Sequence, residues 1–402
     1  MSGDASTGRT AGAEVCVATV LALLGADAAT PREDVLRTAR EGRHKLAATL
    51  LSLWAARGDR LTGAAQTELV QNRERIDHYR DVWAELQDVA PDAYLLKGMT
   101  IAALYPPGVL RAAGDLDVIC HDPGDLWACA RRLAETGWEL AALTVGPARG
   151  GQGTPLYLGA EFRSPAPEGS PDPYAVGLAT AEIVTDIRGP AWQLARPGFS
   201  VPAACALALV AERWERPFRS RDFLDMALLL RHLDDDGLRQ LRDDLDRTGL
   251  WPEWRAAMRG TGRLGGPPVA GLPRTRIAAG RARLTRAVRT AVRWSSPARV
   301  AAFVAQSGVE GEGGRLADAA SDLVHRRIGA RLLLRRGVPL FGVPLDGVPA
   351  DGLRLDGVSA DGLRLDDVGT HLVARTPLGS FLLVSGAARQ EWLDEVSAEG
   401  VA

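Results

Sequence analysis

Lysine is almost missing from this chain of 402 residues. Only Lys45 and Lys97 occur, and arginine supplies all the remaining basic side chains. Together with the abundance of alanine, glycine and arginine, this bias is typical of a high-GC bacterial genome. A lysine ammonium and an arginine guanidinium are not equivalent at a compact phosphate site, so Lys97 is a candidate functional residue.

Cysteine is also scarce, and its spacing excludes two classes of protein. The four cysteines, Cys16, Cys120, Cys129 and Cys205, are far apart and form no C-x-x-C pair. This pattern suggests neither a zinc site nor a disulfide framework. It fits a reducing cytoplasm, which is the compartment we expect.

Long apolar runs and an excess of one charge are lacking as well. No apolar run approaches the roughly 20 residues that span a bilayer, and no basic segment precedes the apolar stretch at 15–25 as an export signal requires. The formal net charge is −2. The composition therefore excludes a generic polyanion binder and predicts no membrane partner.

Changes in composition along the chain predict an α+β protein with five segments. The core is expected to be a compact mixed α/β unit, flanked by helical regions and followed by a short repeat-containing β tail. The segments are a disordered stretch at 1–12, a helical region at 13–90, the core at 91–198, a second helical region at 199–335, and the repeat-containing region at 336–402.

Within the core, short apolar runs alternate with turn residues. A buried strand at 93–96 is expected to end in a tight turn at Lys97-Gly98. Further strands are predicted at 116–120, 138–145, 156–162 and 181–187, with a helix at 125–136 that Gly137 closes.

Two carboxylates stand out on the second of these strands. In Asp115-Leu116-Asp117-Val118 the alternation of a strand places both aspartates on one face, about 7 Å apart. Such a pair is stable mainly when a divalent cation or basic groups neutralise it. Gly98 lets backbone N–H groups approach a phosphate closely, and Lys97 and Arg111 add positive charge nearby in the sequence.

These residues carry a resemblance to a known family. The stretch from Tyr94 to Leu140 contains LLKG, then Tyr105-Pro106, Arg111 and Gly114-Asp115-Leu116-Asp117, and resembles the uncharacterised nucleotidyltransferase family of the DNA polymerase β superfamily. The resemblance implies a polymerase-β-like core that moves a nucleoside monophosphate from an NTP, ATP above others, to a small-molecule, peptide or protein acceptor. RNA is a less favoured acceptor.

The resemblance also implies the roles of the site residues. Asp115, Asp117 and Glu182 would bind Mg²⁺, and Glu182 would also deprotonate the acceptor. Lys97, Gly98 and Arg111 would hold the triphosphate. In Glu182-Ile183-Val184 the glutamate matches the family's third carboxylate, whereas Val184 replaces its histidine. Asp186 is the alternative third carboxylate.

Three interpretations stay open from the sequence. The core is either an active transferase or a degenerate fold that serves as a binding or regulatory protein, and an RNA-modifying transferase is a third possibility. The arginine-rich segment at 274–299 is either a phosphate-facing helix or a solvated helix face. The repeat at 343–367 is either a short β-helix or hairpins on the surface. Asp222 and Asp225 are expected to cap a helix and form ion pairs.

Overall fold

The computed structural model describes residues 14–120, 122–150, 156–164, 173–184, 191–194, 199–264, 323–345, 362–386 and 388–398, with isolated positions between 277 and 287. Outside these residues lie the segment predicted to be disordered at 1–12, Asp186, most of the arginine-rich segment, and residues 346–361 of the repeat predicted at 343–367. The protein is α+β, as predicted. It divides into two compact units whose segments alternate along the chain.

The first unit comprises Met1–His78, Lys97–Ala113 and Phe199–Leu284, and its described elements are helical. They are α1 (Val17–Leu24), α2 (Arg32–Arg40), α3 (Ala47–Ala56), the first part of α4 (Gly63–Val89), α5 (Gly98–Ala102), α7 (Val201–Ala211), α8 (Ser220–His232), α9 (Asp235–Thr248) and α10 (Trp251–Thr261). Helix α7 is apolar on every side, and all its residues from Ala203 onward are buried. A helix of that composition is stable only inside a core.

Helix α9 shows how the surface of this unit is built. The Asp234 side chain accepts a hydrogen bond from Gly237 N and so satisfies one free donor of the first turn. Gly249, at φ 73°, ends the helix in the left-handed conformation that glycine adopts without strain. Leu241 and Leu245 face the core of the unit, and the acidic side chains of the first turn face solvent.

The second unit comprises Tyr79–Leu96, Gly114–Gly198 and Thr285–Ala402, and it contains the sheet. The strand order is β1-β2-β5-β4-β3-β7-β10-β9-β8, and β6 pairs with β3. The strands are β1 (Tyr94–Leu95), β2 (Leu116–Ile119), β3 (Glu139–Arg149), β4 (Leu156–Ser164), β5 (Tyr174–Ala179), β6 (Ala191–Trp192), β7 (Leu340–Pro344), β8 (Arg364–Val368), β9 (His371–Thr376) and β10 (Gly379–Val384). The sheet is mixed, because β2 and β5 are parallel whereas the other neighbours on this path are antiparallel.

The predicted helix at 125–136 is confirmed as α6 (Pro123–Glu135). The Asp122 side chain caps it, and Gly137 follows it at φ 86°. Helix α6 contacts β3, β4 and β5 and buries Leu126 and Leu133. It therefore forms the crossover between β2 and β3, two parallel strands that β5 and β4 separate in the sheet. The unit also contains helices α11 (Ala330–Arg335) and α12 (Gln390–Ala398).

The strand predicted at 181–187 is wrong over 181–184, and 185–187 lie outside the described residues. The strand that pairs with β2 is β5, which ends at Ala179, whereas Ile183 makes only a single bridge with Trp192. In β5 large buried side chains alternate with small, half-buried residues. Glycine and alanine have low strand propensity, so the sequence of β5 indicates a strand less strongly than the β-branched residues that follow it.

The C-terminal strands extend the same sheet as the core. Strand β7 pairs with β3 through Leu143 opposite Gly342, and β10, β9 and β8 follow in antiparallel order. The segments predicted at 91–198 and 336–402 thus both supply strands to one unit. In the described parts of the chain, no helix has the length and apolarity needed to cross a bilayer.

Candidate functional site

Strand β2 presents the predicted aspartate pair. Leu116 and Val118 are buried, Asp117 between them is half-buried, and Asp115 is exposed just before the strand. Strand alternation therefore places the side chain of Asp117 on the opposite face from the two apolar residues. The backbone of Asp117 is fixed from the β1 side, where Leu96 N donates to its carbonyl at 2.9 Å.

The neighbouring strands place a glycine and a glutamate in line with Asp117. Asp117 pairs with Gly177 of β5, and Gly177 pairs with Glu161 of β4, so the three residues form one row on the same face. A Cβ atom on Gly177 would lie 3.5 Å from Asp117 Oδ1. The backbones of Asp117 and Glu161 are two strand spacings apart, about 10 Å. A gap without a side chain thus separates the two acidic positions.

Glu161 is an acidic residue that sequence reasoning missed. Its side chain is 43% exposed and pairs with Arg163 at 2.9 Å. An exposed pair of this kind contributes little, so the glutamate can leave it at small cost. The position of Glu161 beside Gly177 follows only from the pairing of β4 with β5, so the sequence alone does not indicate it.

Glu182, the predicted third carboxylate, is buried beyond the end of β5. Its Oε1 accepts a hydrogen bond from the Tyr94 hydroxyl at 2.6 Å, and its Oε2 accepts one from Leu194 N at 2.7 Å. Both oxygens of the carboxylate therefore have donors from the protein. In this arrangement the Glu182 side chain links Leu194 to Tyr94 of β1.

The first unit contains the predicted triphosphate-binding residues Lys97 and Gly98. Lys97 has φ 59° and ψ −121°, a backbone conformation that costs a non-glycine residue about 1–3 kcal/mol. The turn is held by a hydrogen bond from Lys97 N to Cys205 Sγ at 3.1 Å. The Lys97 ammonium lies 3.2 Å from Glu212, which also accepts from Arg216.

Arg111 belongs to a buried cluster of the first unit. Its Nη2 lies 2.9 Å from Asp225 Oδ2, and the Tyr105 hydroxyl donates to Asp225 Oδ1 at 2.7 Å. Burial raises the pKa of Tyr105 well above its usual value, so the phenol keeps the proton that it donates. Burial lowers the pKa of Arg111, but the Asp225 carboxylate more than offsets this and raises the pKa above its usual value.

This cluster confirms the structural roles predicted for the two aspartates of α8. Asp225 pairs with Arg111, while Asp222 accepts from Arg219 N at the start of the helix and pairs with Arg216 at 2.7 Å. The nucleotide-binding role of Arg111 stays a prediction. It requires the buried ion pair with Asp225 to open.

The donors available on the sheet suit Mg²⁺. This ion prefers oxygen ligands and usually binds through one or two carboxylates together with water and substrate phosphates. Asp115 and Asp117 supply two carboxylates, and the gap above Gly177 leaves room beside Asp117. Within the described residues, no group of three His, Cys, Asp or Glu side chains is arranged to hold a metal ion by itself. The residues present therefore fit an ion that a substrate helps to bind.

Comparison with known proteins adds no relative. No family model, curated protein or solved structure matches this chain.

Proposed function

We propose that this protein is a Mg²⁺-dependent nucleotidyltransferase with a polymerase-β-like core. The single observation that carries the proposal is the aspartate pair at β2: Asp115 lies just before the strand, and Asp117 lies on its half-buried face next to Gly177 of the parallel strand β5. Two carboxylates beside a residue without a side chain suit a metal-bound polyphosphate. The substrate class is a nucleoside triphosphate, with ATP favoured by the family resemblance.

Asp115 and Asp117 would hold the ion. Bound Mg²⁺ would neutralise negative charge on the triphosphate and on the departing pyrophosphate. The oxygen of the acceptor forms a bond to the α-phosphorus, and the bond from that phosphorus to the bridging oxygen breaks. Pyrophosphate leaves, and the proton of the acceptor hydroxyl needs a base.

Glu161 is the base that the row on the sheet favours. Its carboxylate lies across the gap at Gly177 from Asp117 and, within the described residues, pairs with the exposed Arg163. Glu182 would first have to release Tyr94 and Leu194 N, leaving a buried amide without a partner. Lys97 and Gly98 remain the residues expected to bind the triphosphate.

A second function is a protein that binds Mg·NTP without transferring it. Two observations favour it: glycine occupies the position next to Asp117 on β5, and both oxygens of Glu182 have protein donors. A regulatory or scaffolding role follows if the base is absent. Binding and transfer must therefore be measured separately.

The test for binding and transfer starts from the full chain with each labelled NTP, Mg²⁺ and candidate acceptors, followed by pyrophosphate release. Asp117→Asn should abolish Mg²⁺-dependent NTP binding, because it removes the charge and keeps the shape. The matched control is Asp88→Asn on the exposed side of α4, which should leave binding unchanged. Unchanged NTP binding in Asp117→Asn would contradict both functions.

A second pair of variants distinguishes transfer from binding. Glu161→Gln should lower kcat by about 10²–10⁴-fold with little effect on NTP affinity, as the loss of a general base does. Glu135→Gln, an exposed change at the end of α6, is its control. If Glu161→Gln leaves turnover intact while Glu182→Gln abolishes it, the base is Glu182. NTP binding without any pyrophosphate release favours the binding protein.

A further inference from the structure

A cavity in the C-terminal part of the second unit has no role in the proposed transfer. Its volume is about 290 Å³, which is near the lower end of the range for small-ligand pockets. Its polar lining consists of Arg331 and Arg335 on α11, Asp367 at the end of β8, and Thr370 and His371 at the start of β9. A ligand that fits must be small and polar.

The charge around this cavity is positive. Arg331 lies 2.8 Å from Asp367 and also donates to the Leu365 carbonyl, so its charge is partly compensated. The Asp367 side chain is 59% exposed, which makes this ion pair weak. Across the part of the chain that the structure describes, no carboxylate pairs with Arg335. One turn of helix separates the two arginines, so both can reach a single anion.

One wall of the cavity is rigid. His371 is 4% exposed, and its Nε2 lies 2.9 Å from Glu395 Oε2 on α12. A carboxylate only accepts hydrogen bonds, so His371 carries a hydrogen on Nε2, and its Nδ1 accepts from His325 Nε2 at 2.6 Å when the ring is neutral. His325 in turn stacks on Trp392 at 3.8 Å. This chain of contacts fixes the position of His371 before any ligand arrives.

We propose that this cavity is a binding site for a phosphate group, either inorganic phosphate or a small phosphomonoester. Arg335, which has no carboxylate partner among the described residues, and Arg331 supply two guanidinium groups, and Thr370 supplies a hydroxyl donor. Together these donors match the several acceptor oxygens of a phosphate. The site is formed by α11, the residues just before it, and β8 and β9 with the turn between them. It does not depend on Asp117 or on the proposed transfer.

The test is a titration of the full chain with inorganic phosphate, at constant ionic strength and with EDTA present so that no metal-dependent site contributes. Saturable binding by calorimetry is expected for the unchanged protein. Arg335→Gln should weaken it at least about tenfold, the usual result of losing a charge-assisted hydrogen bond. Arg336→Gln is the matched control, because Arg336 is the next residue, is exposed and does not line the cavity.

Further measurements identify the source of the phosphate and guard against misfolding. Phosphoserine in place of inorganic phosphate shows whether the cavity takes a monoester: tighter binding indicates an organic phosphate, and weaker binding indicates inorganic phosphate. Thr370→Val, which keeps the side-chain shape, should weaken binding of the preferred ligand while far-UV circular dichroism stays unchanged. A response that rises linearly without saturation, or one that is equal in Arg335→Gln and Arg336→Gln, overturns the proposal.

Discussion

Replacing Asp225 by alanine leaves a charged guanidinium buried without its partner. Asp225 is fully buried, and it accepts hydrogen bonds from both Arg111 and Tyr105. Arg221 is also buried, with its Nε 3.9 Å from the same carboxylate. Asp225→Ala would therefore leave the Arg111 guanidinium and the Tyr105 phenol without their shared acceptor, and it would remove the carboxylate nearest Arg221, which still donates to the Ala112 carbonyl.

Removal of one partner from a buried ion pair costs about 3–5 kcal/mol. That is a large share of the roughly 5–15 kcal/mol that separates folded from unfolded protein. Asp34→Ala is the matched control, since it removes a 2.6 Å ion pair with Arg37 from the surface of the same unit. The control should cost less than about 1 kcal/mol.

Urea unfolding followed by circular dichroism measures both changes. A double variant, Arg111→Met with Asp225→Leu, sharpens the test, because replacing both charges by apolar groups should be less destabilising than Asp225→Ala alone. A loss below about 1 kcal/mol in Asp225→Ala, equal to that of the control, would refute a structural role for the pair. It would also free Arg111 for the triphosphate role that the sequence predicts.

Three other predictions follow from single contacts. Burial, followed by the charge of Arg43, lowers the pKa of His44 below its usual 6.5. The stability that this histidine contributes is therefore present above pH 6.5 and is lost as the pH falls through the lowered pKa. His44→Gln should make the free energy of unfolding depend less on pH between about pH 7 and about pH 5. Gly177→Val should fill the gap beside Asp117 and abolish Mg·NTP binding in calorimetry while the fold is kept, and retained binding would show that the gap is not used. Lys97→Gly should raise the free energy of unfolding by about 1 kcal/mol, because glycine adopts φ 59° without strain. The same change should raise the KM for NTP in the pyrophosphate assay, and an unchanged KM would remove Lys97 from the site.

Much of the sheet could be predicted because local patterns agree with the pairing. The apolar run at Tyr94–Leu95, the alternation at Leu116–Ile119 and the glycine after α6 each specify one conformation. The strand next to β2 could not be located, because Tyr174–Ala179 alternates in size rather than in polarity. The predicted third carboxylate, Glu182, therefore lies beyond the end of the strand that pairs with β2.

The partners of the candidate site residues could not be read from the sequence. Arg111 is 114 residues from Asp225, and Tyr94 is 88 residues from Glu182, so only the folded chain reveals these contacts. A motif shows which side chains are present, but only the folded structure shows which of them already form hydrogen bonds or ion pairs within the protein. For the same reason the row of Asp117, Gly177 and Glu161 emerged only from strand register.

The pairing of β3 with β7 has a consequence for the order of folding. Leu143 lies opposite Gly342, so about half of the chain must be synthesised between one strand and its neighbour. Contacts so distant in sequence form slowly, and until then β3 presents an unpaired edge. A nascent chain that stops before Leu340 would expose Leu143–Val145 to other chains, so truncation should cause aggregation rather than yield a smaller folded core.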